Sequence, residues 1–507
     1  MADIRHVALG GSYFAPVSVH APEPGASPSA AGNARPALAA VVAERFDGYL
    51  ERIRGFCRTP SVSATGEGVR ATADATLALI AGAGGSAELV ETPGHPVIIG
   101  EIPGPPGSPT LLRYGMYDVQ PAEEPDWSSP PFAMEILELD DAGPAVVGRG
   151  IANSKGSLSS FFCALDALRD TGGVPVGLKF VIEGEEELGS PNLPAVVRER
   201  ATDLAADAGV DFDLCGDAES GRADLILGCK GLLGLEVSCR SGKWGGPARP
   251  LHSSEAAWIA SPAWSLVHAL SAIVGPGEEL RVPRLTDGLP GPDDGDRALI
   301  AELAATWDPD ERLHESGAAR FKFTGAKEEM LEALLFRPTV NVSGIDSGYT
   351  GPASKTIIPS SARANLDVRL VPGLDADDVV AAIRAHLEGA GLGHVEVRVT
   401  DEYPWAKAPP SSAVADAFRR SYDALGVRTV PYPLAPWCAP FYVFDRILGL
   451  PWASGGLGYS GGAHGPDEFA SVAGLEQHIV GVAEFLLAFA ADPDPPGSTT
   501  NPNGAGA

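Results

Sequence analysis

Hydrophobic residues in this chain recur in two rhythms, one helical and one alternating. Leu38, Val41, Val42, Phe46, Leu50, Ile53 and Phe56 fall on a single helical stripe over 37–57. Short apolar runs then trade places with helical patterns: TLLRYG (110–115), a helix near 157–170, GLKFVIEG (177–184) and FDLCGDAE (212–219). Strand, helix and strand in succession predict a largely parallel sheet whose active groups gather at the carboxyl ends of its strands.

The texture changes after residue 230. GLLGLEVSCRS reads as a strand, 262–273 as a helix and SARANLDVRL (361–370) as a strongly alternating strand. In the last of these, Ala364, Leu366, Val368 and Leu370 face one way, and Arg363, Asn365, Asp367 and Arg369 the other. A helix over 375–389 and the strand HVEVRVT (394–400) follow. Strands with helices on one face predict a separate α+β unit inserted into the first. The proline-bearing stretch 404–410 returns the chain, and a helix over 412–424 with the segment to 490 completes the first unit. The expected domains are therefore 37–229 with 405–490, and 230–404. A Pro/Gly/Ser/Ala-rich flexible extension (1–36) and a disordered tail (491–507) flank them.

Composition narrows the function classes. The 507 residues are 44% hydrophobic, enough for a large core, and 37 Lys+Arg against 66 Asp+Glu give a net charge of −29. Such a surface disfavours nucleic acid and anionic membranes as partners. No apolar run reaches the length of a membrane span, and no secretory leader is recognisable. The six scattered cysteines fit buried thiols in a reducing cytoplasm. Abundant Ala, Gly, Pro and Arg with little Lys point to a GC-rich bacterial genome.

Four acidic or imidazole clusters fall at the expected strand ends: Asp118, the run Glu183, Glu185, Glu186 and Glu187, Asp217 with Glu219, and His464 in GGAHGPDEF. A glutamate run is ordinarily a solvated surface. This one follows the buried-strand pattern LKFVI directly and leads into Gly189-Ser190-Pro191, which makes it a functional candidate.

Together these segments resemble the M20 family of metallopeptidases, in particular its carnosinase-like dipeptidase branch. The resemblance spans roughly 37–490 and rests on TPSVSA (59–64), YGMYDVQPAEEPDWSSPPF (114–132), GRGIANSKG (148–156), EGEEELGSPNL (183–193), GDAE (216–219), PLHS (250–253), RPTVNVSGI (337–345), YTGPASKTIIP (349–359), RLVPG (369–373) and AHGPDE (463–468). It implies an α/β catalytic domain with a mixed, largely parallel sheet flanked by helices, plus an inserted α+β lid that forms a homodimer. It implies Glu186 as the general base, Glu187, Asp217 and His464 as metal ligands, and Asp118 as the aspartate that orients a ligand histidine. His252 matches the residue that steadies the oxyanion. Asn341, Thr356 and Arg369 match residues that hold the substrate carboxylate.

Two positions break the pattern. Met116 stands where the family has its first histidine ligand, and Asn153 where it has the aspartate bridging two metals. A neutral thioether and a neutral carboxamide suit paired divalent cations poorly. At most one zinc is expected, weakly held or absent, and no two-metal centre. The segment LAPWCAP (434–440) puts Cys438 at a substrate-holding serine position, and LHSSEAAW (251–258) departs from the usual lid motif. The expected function is action on an amide or peptide bond of a small carboxylate-bearing substrate, a dipeptide or N-acyl amino acid, with Glu186 as general acid/base. Two alternatives stand beside it: acyl transfer, amide formation or cyclisation in the same pocket, and a non-catalytic binder. A covalent role for Cys438 or Ser154 is a subsidiary idea.

Overall fold

The structure, a computed structural model, describes residues 34–217 and 221–491. Of the expected extension, residues 1–33 lie outside them, whereas 34–36 already belong to the first helix, Ala34–Cys57. Residues 492–507 of the expected tail lie outside them too.

A nine-stranded mixed sheet runs Ser86–Val90, Val97–Ile102, Gly177–Glu183, Thr110–Met116, Ala208–Phe212, Trp452–Gly455, Arg222–Ile226 and Arg428–Tyr432, with Gly216–Asp217 paired to Arg222–Ile226. Its centre is parallel: Thr110–Met116 lies between Gly177–Glu183 and Ala208–Phe212, both running the same way. The strand expected over 212–219 sits earlier, at Ala208–Phe212, because AGVDF supplies the buried alternation and Asp213 begins a loop.

Alternation sorts the central strands. Leu178, Phe180 and Ile182 enter one core with Phe161 and Phe162, while Val181 enters the other with Leu112 and Tyr114. The helix Lys155–Thr171 is buried along most of its length beneath the sheet, beside Ala34–Cys57 and Val472–Ala490. Phe161 meets Phe180 edge-on at 6.1 Å, and Phe212 meets Phe485 edge-on at 5.1 Å. Each such ring contributes about 1.5–3 kcal/mol by burial. Among the described residues one helix, Val472–Ala490, is long and apolar enough to cross a membrane, and 61% of its apolar window is buried within this core.

The insert is a four-stranded antiparallel sheet in the order Thr339–Ser347, Ser361–Leu370, Gly231–Arg240, Glu396–Tyr403, with helices Pro262–Ile273 and Ala376–Gly389 packed against it. Ser361–Leu370 buries Ala364, Leu366, Val368 and Leu370, as its alternation predicts. The chain leaves through Gly228–Cys229 and returns through Ala406–Lys407, and these two short strands pair with each other. The helices Asp294–Thr306, Pro309–Ser316 and Lys327–Phe336 add to the insert.

A second four-stranded sheet sets the chemistry. Gly143–Val147 pairs antiparallel with Phe469–Ser471, so the loops at 148–153 and 462–468 face each other across it.

Candidate active site

Thr110–Met116 and Gly177–Glu183 are parallel and in register, with Met116 opposite Glu183. Their carboxyl ends therefore release two loops at the same edge. Asp118 comes off the first and Glu185, Glu186 and Glu187 off the second. Gly184 permits that second turn, since a Cβ there would strike the ring of Tyr117. Asp118 is fully buried and accepts from the backbone amides of Glu186 (3.2 Å) and Glu187 (3.1 Å), so it holds the second loop against the first. Burial, with the Glu187 charge beside it, pushes the Asp118 carboxyl up to about 7.

Glu187 has both oxygens engaged. Gln120 Nε2 donates to Oε2 at 2.8 Å and Asn153 Nδ2 donates to Oε1 at 2.9 Å. Asn153 Nδ2 also lies 2.8 Å from His464 Nε2, and His464 Nε2 lies 3.3 Å from Glu187 Oε1. A neutral His464 with Nε2 bare accepts from Asn153. A protonated one pairs with Glu187, whose hydrogen bond holds the imidazole above its usual range. Asn153 Oδ1 accepts from Ser154 Oγ at 3.0 Å, which fixes the amide with its nitrogen toward Glu187 and occupies the Ser154 hydroxyl.

The 148–153 loop is shaped by Glu468, a residue that sequence reasoning overlooked. Its fully buried carboxylate accepts from the amides of Gly150 (3.0 Å), Ala152 (2.9 Å) and Asn153 (3.0 Å) and pairs with Arg149 at 2.8 Å. Gln120 and Tyr403 were likewise not singled out. Gln120 could have been found from its place in DVQP, two residues beyond Asp118.

Glu186 is held well above the usual carboxylate range by burial, then by the charges of Glu187, Asp118 and Glu183. Burial raises the Cys438 thiol, the Arg369 charge pulls it partly back down, and the Glu186 charge raises it again. A raised thiol is a poor nucleophile, so the covalent role for Cys438 loses support.

His252, Thr356 and Asn341 bond to one another or to neighbouring residues of the insert rather than to these groups. His252 is exposed, bonded through Nδ1 to Ser254 Oγ (2.9 Å) and through Nε2 to Thr356 Oγ1 (3.2 Å). Asn341 donates to Asp367 Oδ1 at 2.9 Å on an exposed strand. Met116 is 5% exposed at the strand end. The Asp217 backbone pairs with Arg222, but its side chain and all of Glu219 lie outside the described residues.

The family model for "Peptidase family M20/M25/M40" matches residues 113–491. The chain belongs to this family. It is 28% identical over 311 residues to the Cys-Gly metallodipeptidase dug1 of Schizosaccharomyces pombe, covering 59% of this chain and 61% of that protein. It is 28% identical over 304 residues to the Beta-Ala-His dipeptidase of Rattus norvegicus, covering 58% of each. The chain thus spans less than two thirds of the length of these curated relatives. The solved M20 family metallo-carboxypeptidase Sso-CP2 from Sulfolobus solfataricus has TM-score 0.79 and 32% identity, over 87% of this chain and 99% of that one.

M20 metal chemistry tests the donor set directly. A cation between Glu187 and His464 needs oxygen or nitrogen lone pairs aimed at it, and here the Asn153 carboxamide aims its hydrogens there instead. The Glu187 oxygens are already bonded, and Met116 offers a neutral sulfur. These residues do not fit a pair of divalent cations.

The buried carboxyls also set a pH response. Burial raises Glu183 to about 8 and Asp213 and Asp224 to about 7. Between the ordinary carboxylate range and these values the folded chain binds more protons than the unfolded one. The stabilisation is therefore complete only below the ordinary carboxylate range at about 4, declines from there as pH rises, and is gone once pH passes about 7–8. Thermal melts should show a midpoint several degrees higher near pH 6 than near pH 8.5, and a midpoint rising over that interval would contradict these protonation states.

Proposed function

We propose that this M20 chain acts on the amide bond of a small carboxylate-bearing substrate, a dipeptide or N-acyl amino acid, with Glu186 as general acid/base. The observation that carries the reading is Glu186 itself, a carboxyl at the end of the central parallel strands that burial and the charges of Glu187, Asp118 and Glu183 hold well above the usual carboxylate range. A carboxyl that keeps its proton near neutral pH can hand it to a leaving amine. Arg369 offers a planar fork for the substrate's carboxylate. Glu186→Gln keeps the shape and removes the proton transfer. On a panel of dipeptides and N-acyl amino acids, kcat should fall by about 100-fold or more. Parent-like turnover in that variant would remove Glu186 from the chemistry.

The site is proposed to work without the paired metal centre, on the strength of the Asn153 and Gln120 hydrogens directed at Glu187. Elemental analysis of protein purified without chelator should find less than one zinc per chain. Asn153→Asp combined with Met116→His should raise zinc uptake measurably. Two zinc ions per parent chain would overturn this part of the proposal.

The same hydrogen bonds favour a second reading. With Glu187 and His464 engaged by a carboxamide, water has no activated form at that position, and an amine can compete as the acyl acceptor. Turnover in ¹⁸O-water separates the two, because hydrolysis labels the product and transfer does not.

The homodimer forms part of the proposal through the insert. Trp258 (77% exposed) follows the turn at 253–257, Trp264 (65%) lies on helix Pro262–Ile273, and Ile345 (65%) lies on the edge strand Thr339–Ser347. Exposed aromatics and an open strand edge are surfaces that a second copy can cover. Sedimentation velocity at micromolar concentration should report a dimer, and a monomer there would refute it.

A further inference from the structure

Beyond the groups that face the substrate, a buried chain of hydroxyls runs from the sheet to Glu186. Tyr114 Oη donates to Glu183 Oε1 at 2.8 Å, and Ser190 Oγ reaches the same oxygen at 2.8 Å. Ser190 Oγ lies 3.1 Å from Tyr403 Oη, which in turn donates to the backbone carbonyl of Glu186 at 2.9 Å. Tyr403 is the last residue of the insert strand Glu396–Tyr403 and is 4% exposed. It is thus a residue of the insert whose side chain grips the loop carrying the proposed acid.

We propose that Tyr403 is a positioning residue for Glu186, fixing the loop at 185–190 from the insert through a hydroxyl relay that a neutral Glu183 completes. This rests on the Glu186 reading given above.

Counting hydrogens carries the argument for Glu183. The relay has four contacts: Tyr114 to Glu183, Glu183 to Ser190, Ser190 to Tyr403, and Tyr403 to the Glu186 carbonyl. Three hydroxyls supply one hydrogen each. An ionised Glu183 would accept from both Tyr114 and Ser190, leaving the Ser190–Tyr403 contact as two oxygens without a hydrogen between them. A protonated Glu183 supplies the missing one: it donates to Ser190, Ser190 to Tyr403, and Tyr403 to the carbonyl. The surroundings agree, since Glu183 is buried beside Asp118 and Glu185 and its carboxyl is raised to about 8. Its other oxygen, Oε2, has no partner. An anionic oxygen left without a partner in the interior costs far more than a neutral carbonyl oxygen in the same place.

The hydroxyl also explains why the loop can be short and still hold its shape. Glu186–Leu188 is a single tight turn closed by Gly189 at φ 90°, too brief to be rigid by itself. Asp118 fixes its amide side and Tyr403 its carbonyl side. Deleting either bond frees the Glu186 side chain to drift, and small displacements of a reacting group are expensive in rate.

Tyr403→Phe deletes one oxygen and keeps the ring. Expected results are a kcat about tenfold or more below the parent with KM within about twofold, and faster backbone amide exchange over 185–190. A purely architectural bond would lower the amount of folded enzyme without this split. Glu183→Gln retains a donor for Ser190 and should keep exchange over 185–190 near the parent rate, whereas Glu183→Leu should raise it. Parent-like kcat and exchange in Tyr403→Phe overturn the proposal, and equal acceleration in both Glu183 variants overturns the neutral-carboxyl relay. Glu186→Gln measured alongside separates the two levels. Turnover surviving there sinks the Glu186 reading, while loss there with parent-like Tyr403→Phe sinks only this one. If no substrate turns over at all, the exchange rates alone decide: acceleration supports the tie and its absence refutes it.

Discussion

Both oxygens of Glu187 accept from carboxamide nitrogens, Gln120 at 2.8 Å and Asn153 at 2.9 Å, and the rest of the site is arranged around that fact. A carboxylate needs partners when it leaves water, and burial without them costs several kcal/mol. In an M20 enzyme with two cations, the ions would meet that need. Here neutral N–H groups meet it, and one of them reaches His464 as well. The substitution is self-consistent: Asn at 153 removes a negative charge that only a cation would justify, and it adds the donors that the remaining carboxylate requires. Met116 fits the same logic, since a thioether can be buried at a strand end without any hydrogen-bond partner.

The architecture that delivers these groups is unchanged by the substitution. Parallel pairing of Thr110–Met116 with Gly177–Glu183 brings Asp118 and the glutamate run to one edge, and the second sheet brings 148–153 against 462–468. Beneath them the Phe161, Phe180 and Phe212 cluster provides the stiff floor that makes sub-ångström placement worthwhile. Glu468 then converts backbone into a tool. By binding three amides of one loop, it decides where the Asn153 side chain starts.

The alternating strand at 361–370, the helices at 262–273 and 412–424 and the buried strand before Glu183 were all legible, because their periodicity is local and strong. Met116 and Asn153 were legible as departures, since each occupies a recognisable slot in a motif. What they do was not. The partner of Asn153 is 311 residues away at His464, and Tyr403 grips a carbonyl 217 residues earlier. No spacing rule encodes contacts of that range. The strand near 212 was misplaced for a related reason: Asp213 and Cys215 look like alternation, but pairing with Trp452–Gly455 ends at Phe212. His252 and Thr356 came out together as a pair, bonded to each other rather than to Glu186.

Concentrated acid in a site lacking a counter-cation has a further consequence. Asp118, Glu183, Glu186 and Glu187 gather at one sheet edge, and the charges of Asp118, Glu183 and Glu187 each raise another member's proton affinity. Two carboxylates about 5 Å apart at an effective dielectric of about 20 repel by about 3 kcal/mol, equivalent to roughly two units of pKa. Four cannot all be ionised, so the cluster must hold protons. Asp118 and Glu187 each accept from two N–H donors, and burial with neighbouring charge raises Asp118, Glu183 and Glu186. A dication would reverse this distribution by making every neighbouring carboxylate easier to ionise and casting Glu186 as a base. On the reading proposed above, replacing that charge with carboxamide hydrogens inverts the default, and Glu186 acts first as an acid toward a leaving group before it removes a proton. The change at Asn153 therefore reaches beyond metal affinity to the direction in which the catalytic proton first moves.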